Sequence, residues 1–305
     1  MAIQRLDLIS QTRVHLNEAD LRPPDTACPV CMYDGVRQPI LVLQDSPRVD
    51  LLACRCGVFS ASRMPRSEVL EDYYASYYSA TADTATFDGS ARFGAHLFGM
   101  LQSAQKGMMR ILDFGGGVDA TLSRSVARQF ISKGTERVEI ALVDGNASCA
   151  RDWQAIVVDC YRDLRDAGRE FDIVVASAII EHIPYPRGVL ISLLTSLRVG
   201  GAIYFRTPAV SSTIRLADRF GVRLDFTYPE HVHDMGQAFW EKVLPSLGLD
   251  KTFSLVRSRP SIVQAEFVSH PMRAAIAHLL KWPWYIFRSR YTMVGGWEAV
   301  IIRTA

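Results

Sequence analysis

Residues 111–120 read ILDFGGGVDA. An apolar run ends at an acid, Asp113, and three glycines follow. Glycine adopts positive φ without steric cost and lets a ligand come close to the backbone, so the stretch reads as a sharp turn out of a buried strand. The spacing Gly115-x-Gly117 begins a dinucleotide fingerprint, but the third glycine is missing. Asp119 stands where a further glycine would be expected. On the loop alone, a strand-to-helix turn without a ligand competes with a binding loop.

The flanking sequence sets the context. MRILDF, VEIALVD, QAIVVD, FDIVVAS and GAIYFRTP are near-continuous apolar runs. Helical patterns lie between them, ATLSRSVARQFISKG closing at Gly134 and YPRGVLISLLTSLRVGG before the fifth run. Apolar strands alternating with helices predict a parallel sheet covered on both faces. A later helix, GQAFWEKVLPSLG, and two further strands, KTFSLVRS and GWEAVIIR, bring the count to about seven strands in an α/β, doubly wound domain.

Ligands in such sheets bind beyond the carboxyl ends of the strands. Asp144 ends the second strand and Asp159 the third. A carboxylate only accepts hydrogen bonds, which suits a ribose diol or an exocyclic amine. Carboxylates at 113 and 119 flank the loop and would repel a pyrophosphate. The pattern points away from NAD and toward a cationic sulfonium nucleoside.

ILDFGGGVDA, IALVDGN, VVDCYRDL and FDIVVASAIIEHIPYPRGVLISLLTSLRVGGAIYFRTP together resemble the ordered motifs of class I S-adenosylmethionine-dependent methyltransferases, over residues 109–208. The resemblance implies a mostly parallel, seven-stranded Rossmann-like sheet and a methyl-transfer activity. It implies that Asp113, Gly115 and Gly117 cradle the methionine moiety. Asp144 and Gly145 would lie at the ribose, Asp159 and the Cys160 backbone at the adenine, and Ser177 at the end of the fourth strand. Asp119 departs from a frequent glycine.

Cys28-x-x-Cys31 and Cys54-x-Cys56 are separated by 22 residues. Two such pairs in a reducing compartment point to one tetrahedral zinc rather than to disulfides. CPVC and CRCG resemble the zinc modules that precede some bacterial sugar and polysaccharide methyltransferases, and EDYYASYYS resembles the helix that follows there. The one-residue spacer of the second pair departs from that pattern. The resemblance implies a carbohydrate acceptor: a sugar, nucleotide-sugar or surface glycan. Another small molecule, such as a quinone or polyketide precursor, and a non-catalytic binding module are the alternatives. Cys149 and Cys160 read as unpaired structural thiols. The expected organisation is a zinc module over 1–65, a helical lead-in over 66–108, and a methyltransferase domain over 109–305 with an acceptor-binding insert at about 209–236. Loss of zinc is expected to loosen the first module and leave the cofactor domain folded.

If the acceptor is a hydroxyl or an acidic carbon, a base must take its proton. His182 in AIIEHIPYP and His231 in YPEHVHDMG are the candidates, with His231 preferred because inserts at the carboxyl edge build acceptor pockets. Its acid limb is expected near the ordinary histidine pKa. Glu181 is expected to orient the loop or touch the acceptor. His233, two residues on from His231, would point the other way in an extended segment.

Hydrophobic residues make up 49% of the 305 and charged residues 22%, which excludes a disordered chain. A net charge of +2 and a ribbon without a basic stripe give no argument for nucleic acid. The charged N-terminal stretch lacks a signal-peptide core and no run reaches the ~20 apolar residues of a spanning helix, so a cytoplasmic protein is expected. The tail HPMRAAIAHLLKWPWYIFRSRY mixes aromatic and basic residues. With Pro271 and Pro283 read as breaks, a cap over the pocket is preferred to a segment lying at a membrane interface.

Overall fold

The four cysteines lie in turns flanking a small sheet, the glycine loop follows a strand of a larger one, and the cysteine turns pack into the larger sheet's core. The structure, a computed structural model, describes residues 6–8, 15–80, 90–101, 107–145, 155–263 and 270–305; Cys149 lies outside them. After a short β1 (Leu6–Leu8), strands β2 (Gln38–Gln44), β3 (Val49–Ala53) and β4 (Phe59–Ala61) form an antiparallel meander. Helices α1 (Ser67–Ala80) and α2 (Ser90–Leu101) lead to the main domain.

The apolar runs become β5 (Met108–Phe114), β6 (Arg137–Val143), β7 (Ile156–Tyr161), β8 (Phe171–Ser177) and β9 (Leu197–Ala209), joined in parallel. Helix α3 (Thr121–Ser132) follows the glycine loop and α4 (Arg187–Thr195) precedes β9. The insert after β9 contains α5 (Ser211–Arg219), β10 (Val222–Leu224) and β11 (His233–Asp234). It is followed by α6 (Gln237–Leu247), β12 (Phe253–Pro260), α7 (Pro271–Phe287) and β13 (Gly295–Arg303). The sheet order is β12-β13-β9-β8-β5-β6-β7, with β13 antiparallel to both neighbours. The expected α/β, doubly wound, seven-stranded sheet is therefore present. The order reverses direction at β5, and this switch point places the glycine loop at the crevice where such sheets bind ligands.

Two local expectations are corrected. The helix read through Gly201 ends at Thr195, and Leu197–Gly201 already belong to β9. Pro271 and Pro283 do not break the tail. Pro271 stands at the first turn of α7, where its missing N–H costs nothing, and Pro283 lies inside the same helix. The carbonyl that Pro283 leaves without an intrahelical donor is that of Leu279, on the solvent side, where water can satisfy it. No helix among the described residues is long and apolar enough to cross a membrane.

The cysteine knuckles fit a zinc ion. The sulfurs of Cys28 and Cys56 are 3.8 Å apart, those of Cys31 and Cys54 3.5 Å, and all four lie within 4.8 Å of one another. Zn–S bonds of about 2.3 Å set tetrahedral sulfurs about 3.8 Å apart. All four thiols are free, and three are buried. The knuckles are not a separable appendage. Cys28, Val30 and Val58 pack into the same core as Phe239 and Trp240 of α6. Gly57 abuts that helix so closely that a Cβ there would sit 2.4 Å from the Ala238 carbonyl carbon. Arg187 of α4 donates to the Val30 carbonyl at 2.9 Å. The insert completes the small sheet, since β11 pairs with β4.

This shared core changes what zinc loss should do. The purified protein should carry about one zinc per chain. Cys28→Ser should release it and lower the unfolding free energy of the whole chain by on the order of 4 kcal/mol in one transition. Elemental analysis and calorimetry check this; a metal-free wild type, or an unchanged main transition in the variant, would refute it.

Candidate functional site at the carboxyl edge of the sheet

The glycine loop is held by backbone geometry. Gly115 and Gly117 both take φ +73°, and a Cβ on Gly115 would lie 2.6 Å from the Ile179 side chain. Gly116, the middle residue of the Gly-x-Gly spacing, has the tightest constraint of the three: a Cβ there would lie 2.3 Å from an Asp113 carboxylate oxygen. Gly145 is exposed and meets nothing within 4 Å, so no contact requires a glycine there. The Gly115 amide donates to the Val143 carbonyl at 2.9 Å, and the Gly117 amide donates to the Asp144 carboxylate at 2.9 Å. Asp144 thus closes the loop from the end of β6.

Asp113 is buried, and one of its oxygens has no hydrogen-bond partner. Burial pushes its pKa up to about 7, with Asp144 and Asp119 adding like-charge repulsion and the nearby Ser123 hydroxyl opposing them. Such an orphaned buried oxygen beside a cradle that only glycine permits suits a ligand with a cationic or hydrogen-bond-donating group. Asp119 has a local task. Its carboxylate accepts from the Thr121 amide and hydroxyl, closing the turn into α3 while Ala120 takes φ +53°. Of the other predicted positions, Ser177 accepts from Arg206 at 2.9 Å, and Asp159 is exposed on β7. Cys160 is disulfide-bonded, against the expectation of a free thiol.

The predicted histidines, read as alternatives, come together. The His182 and His231 rings lie 4.7 Å apart, on the turn after β8 and in the insert respectively. The Val232 amide donates to the Glu181 carbonyl at 3.0 Å, which fixes the insert against the turn. The His231 Nδ1 is 2.6 Å from the Thr227 hydroxyl, which itself donates to the Phe226 carbonyl. That hydroxyl can then only accept, so Nδ1 carries the proton and Nε2 the lone pair. His182 donates from Nδ1 to the Glu230 carbonyl at 2.9 Å, by the same logic. Burial depresses both, His182 to about 4 and His231 to about 3, with His182 a further cause for His231. Glu181 is buried with one oxygen unpartnered, and burial raises its pKa to about 8. One ligand atom each from Glu181, His182 and His231 falls within a 4.8 Å group, close enough to share a cation.

His233 points away, as alternation predicts. It bonds Ser60 through Nδ1 at 2.9 Å and donates from Nε2 to the Ile183 carbonyl at 2.9 Å. The sequence reading gave no role to Tyr73 and Tyr74. From α1 their hydroxyls reach Glu230, at 3.4 Å to its carboxylate and to its carbonyl, and Tyr74 also meets His182 at 3.1 Å. The signal was present in EDYYASYYS as tyrosines on several helix faces, but their target lies 156 residues away for Tyr74.

The profile of a family described as a methyltransferase domain matches residues 88–252, just over half of the chain. A search of curated proteins gives no match. Among solved structures, the chain is similar to an S-adenosylmethionine-dependent methyltransferase from Mesorhizobium loti, at 15% identity and TM-score 0.42, covering 71% of this chain and 99% of that one. It is also similar to the plantazolicin methyltransferase BpumL in complex with SAH, at 14% identity and TM-score 0.44, covering 71% and 82%. A third is a putative sarcosine dimethylglycine methyltransferase from Galdieria sulphuraria, at 17% identity and TM-score 0.39, covering 71% and 84%.

The buried acids carry a stability signature. Asp113 and Glu181 keep protons in the folded chain, with pKa values of about 7 and about 8, that they release on unfolding. The folded state therefore binds more protons above the ordinary carboxylate range, and stability falls as pH rises through those values. The depressed histidines and Lys281 bind fewer protons folded than unfolded, so their slope opposes that of the acids. Comparison with Glu181→Gln isolates the acid: from about pH 6.5 to about pH 8.5 Glu181 alone should lower the unfolding free energy by on the order of 2 kcal/mol. The unfolding free energy of Glu181→Gln should therefore rise relative to the wild type by about that amount across this range. Denaturant unfolding of both proteins is the measurement, and parallel profiles would sink the assignment.

Proposed function

Because the chain belongs to the methyltransferase-domain family, we propose that it moves the methyl group of S-adenosylmethionine onto a sugar, nucleotide-sugar or surface-glycan acceptor, at a hydroxyl or acidic carbon. The observation that carries this reading is that the glycine cradle and the His182–His231 pair lie at one edge of the sheet, with Ile179 of the β8 turn against Gly115. When bound, S-adenosylmethionine supplies an activated methyl group on a cationic sulfur. Gly115, Gly116 and Gly117 leave room for its methionine part, with Asp113 beneath them. Asp144 and Gly145 serve the ribose, Asp159 and the Cys160 backbone the adenine, and Ser177 lines the end of β8.

On the acceptor side His231 is the base, since its lone pair at Nε2 is fixed by the Thr227 bond. His182 shapes the pocket beside it, and Glu181, protonated at neutral pH, holds the turn. The hydroxyls of Tyr73 and Tyr74 and the Glu230 carboxyl offer hydrogen bonds suited to a hydroxylated acceptor. The zinc knuckles and tyrosine-rich helix are the features that favour carbohydrate over a quinone or polyketide precursor. The Glu181–His182–His231 group also suits a divalent cation, a second reading that chelation separates from the first.

A mass-detected screen of nucleotide-sugars and glycolipids with labelled methyl donor tests the activity. Gly116→Ala should weaken binding of the demethylated donor at least about tenfold, because its Cβ would displace Asp113. His231→Ala should cut turnover by about 10²–10⁴-fold with donor affinity nearly unchanged. With the imidazole depressed to about 3, turnover should show no acid limb near pH 6.5, in contrast to the sequence expectation. Collapse in His182→Ala with normal turnover in His231→Ala would exchange the two roles. Loss of activity on chelation, restored by magnesium or manganese but not by zinc, would favour the cation reading.

A further inference from the structure

Helix α7 is built inside out. Met272, Ile276, Leu279, Ile286 and Phe287 fall within an arc of roughly 100° at helical spacing, the width of a stripe that ordinarily faces a core. Here that arc faces solvent: Met272 is 75% exposed, Leu279 71% and Phe287 58%. Trp282, 62% exposed, extends the same face, while Tyr285, 58% exposed, lies on the flank of the helix. The inward side is narrow. Ala274 and Trp284 are buried, Trp284 packs edge-on against Trp297 of β13 at 5.6 Å, and Lys281 bonds the Ser261 hydroxyl at 3.1 Å. A contiguous apolar surface of this kind on a water-soluble domain marks an interaction face.

Charge and composition identify the partner. Residues 271–297 contain four Lys and Arg and no Asp or Glu. Arg288 and Arg290, both exposed, adjoin the aromatic end of the helix. Tryptophan and tyrosine prefer the boundary between hydrocarbon and headgroups, and arginine beside them complements anionic headgroups. A second copy of the chain is a poor fit, since a two-fold pairing of this face would oppose cations to cations with no acid within the segment. The helix has 17 residues, too short to span a bilayer but suited to lie in its surface.

We propose that α7 is an in-plane anchor that lays its apolar face into an anionic lipid surface. Its place in the fold gives the contact a consequence. Pro260 and Trp297 are paired, and Trp297 pairs with Thr207 near the carboxyl end of β9. The β12–β13 connection that carries α7 therefore leaves the sheet at the edge where the glycine loop and histidine pair lie. A chain anchored through α7 holds that edge near the lipid surface, whatever acceptor the site takes.

The test uses the full chain and vesicles of phosphatidylglycerol with phosphatidylcholine, or of phosphatidylcholine alone. The wild type should sediment with the anionic vesicles, with affinity falling roughly tenfold or more in the neutral ones and in high salt. The double variant Ile276→Glu/Phe287→Glu should lose binding while retaining its zinc and its melting temperature. Arg288→Glu/Arg290→Glu should lose the preference for anionic lipid. Absence of wild-type vesicle binding would overturn the proposal. So would light scattering that shows a dimer split by the Ile276→Glu/Phe287→Glu pair.

Discussion

One buried imidazole ties the parts of this protein together. His233 is fully buried and has both nitrogens bonded, one to Ser60 on the small sheet and one to the Ile183 carbonyl on the turn after β8. The backbone bond from Val232 to Glu181 runs alongside. Asp234, the next residue, accepts from the amides of Val210 and Ser211 and so fixes the start of α5. Three consecutive residues thus join the cysteine module, the β8 turn and both ends of the insert. Leaving either His233 partner unpaired in this core costs about 1–3 kcal/mol, comparable to a large share of a domain's margin. His231 stands beside His182 because of this knot.

The electrostatics of the site follow from burial more than from pairing. Asp113 and Glu181 lose water and retain protons, while His182 and His231 lose water and stay neutral. Near neutral pH the site thus carries less charge than its formula suggests. A neutral, desolvated pocket strengthens any charge that a ligand brings, since the effective dielectric is low. Asp144 stays at the rim, engaged with the loop amide. The division is between buried groups that tune the site and partly exposed carboxylates that could meet hydroxyls.

The small module and the main sheet gain stability from each other. The small sheet borrows β11 from the insert, and the knuckles borrow Phe239 and Trp240 from α6. In return, α1 brings Tyr73 to Glu230 and Tyr74 to His182, beside the histidine pair. A module of this size has little core of its own, so sharing apolar surface is the physical route to order.

The sequence by itself determined the doubly wound sheet, because continuous apolar strands, helical periodicity and glycine punctuation are local properties of the chain. It also determined the four-cysteine cluster, since the spacing of two short pairs limits where their sulfurs can meet. It singled out His182 and His231 but treated them as rivals, because nothing in 48 intervening residues tells how the insert folds back. Only the tertiary structure decided that they adjoin, that Gly116 and not Gly145 is sterically required, and that Asp119 serves a local turn. The same holds for Tyr73 and Tyr74, whose partner lies far along the chain. Burial was equally hidden: a histidine near pH 6.5 in sequence becomes one near 3 because desolvation depends on what packs around it, and packing is a property of the whole fold.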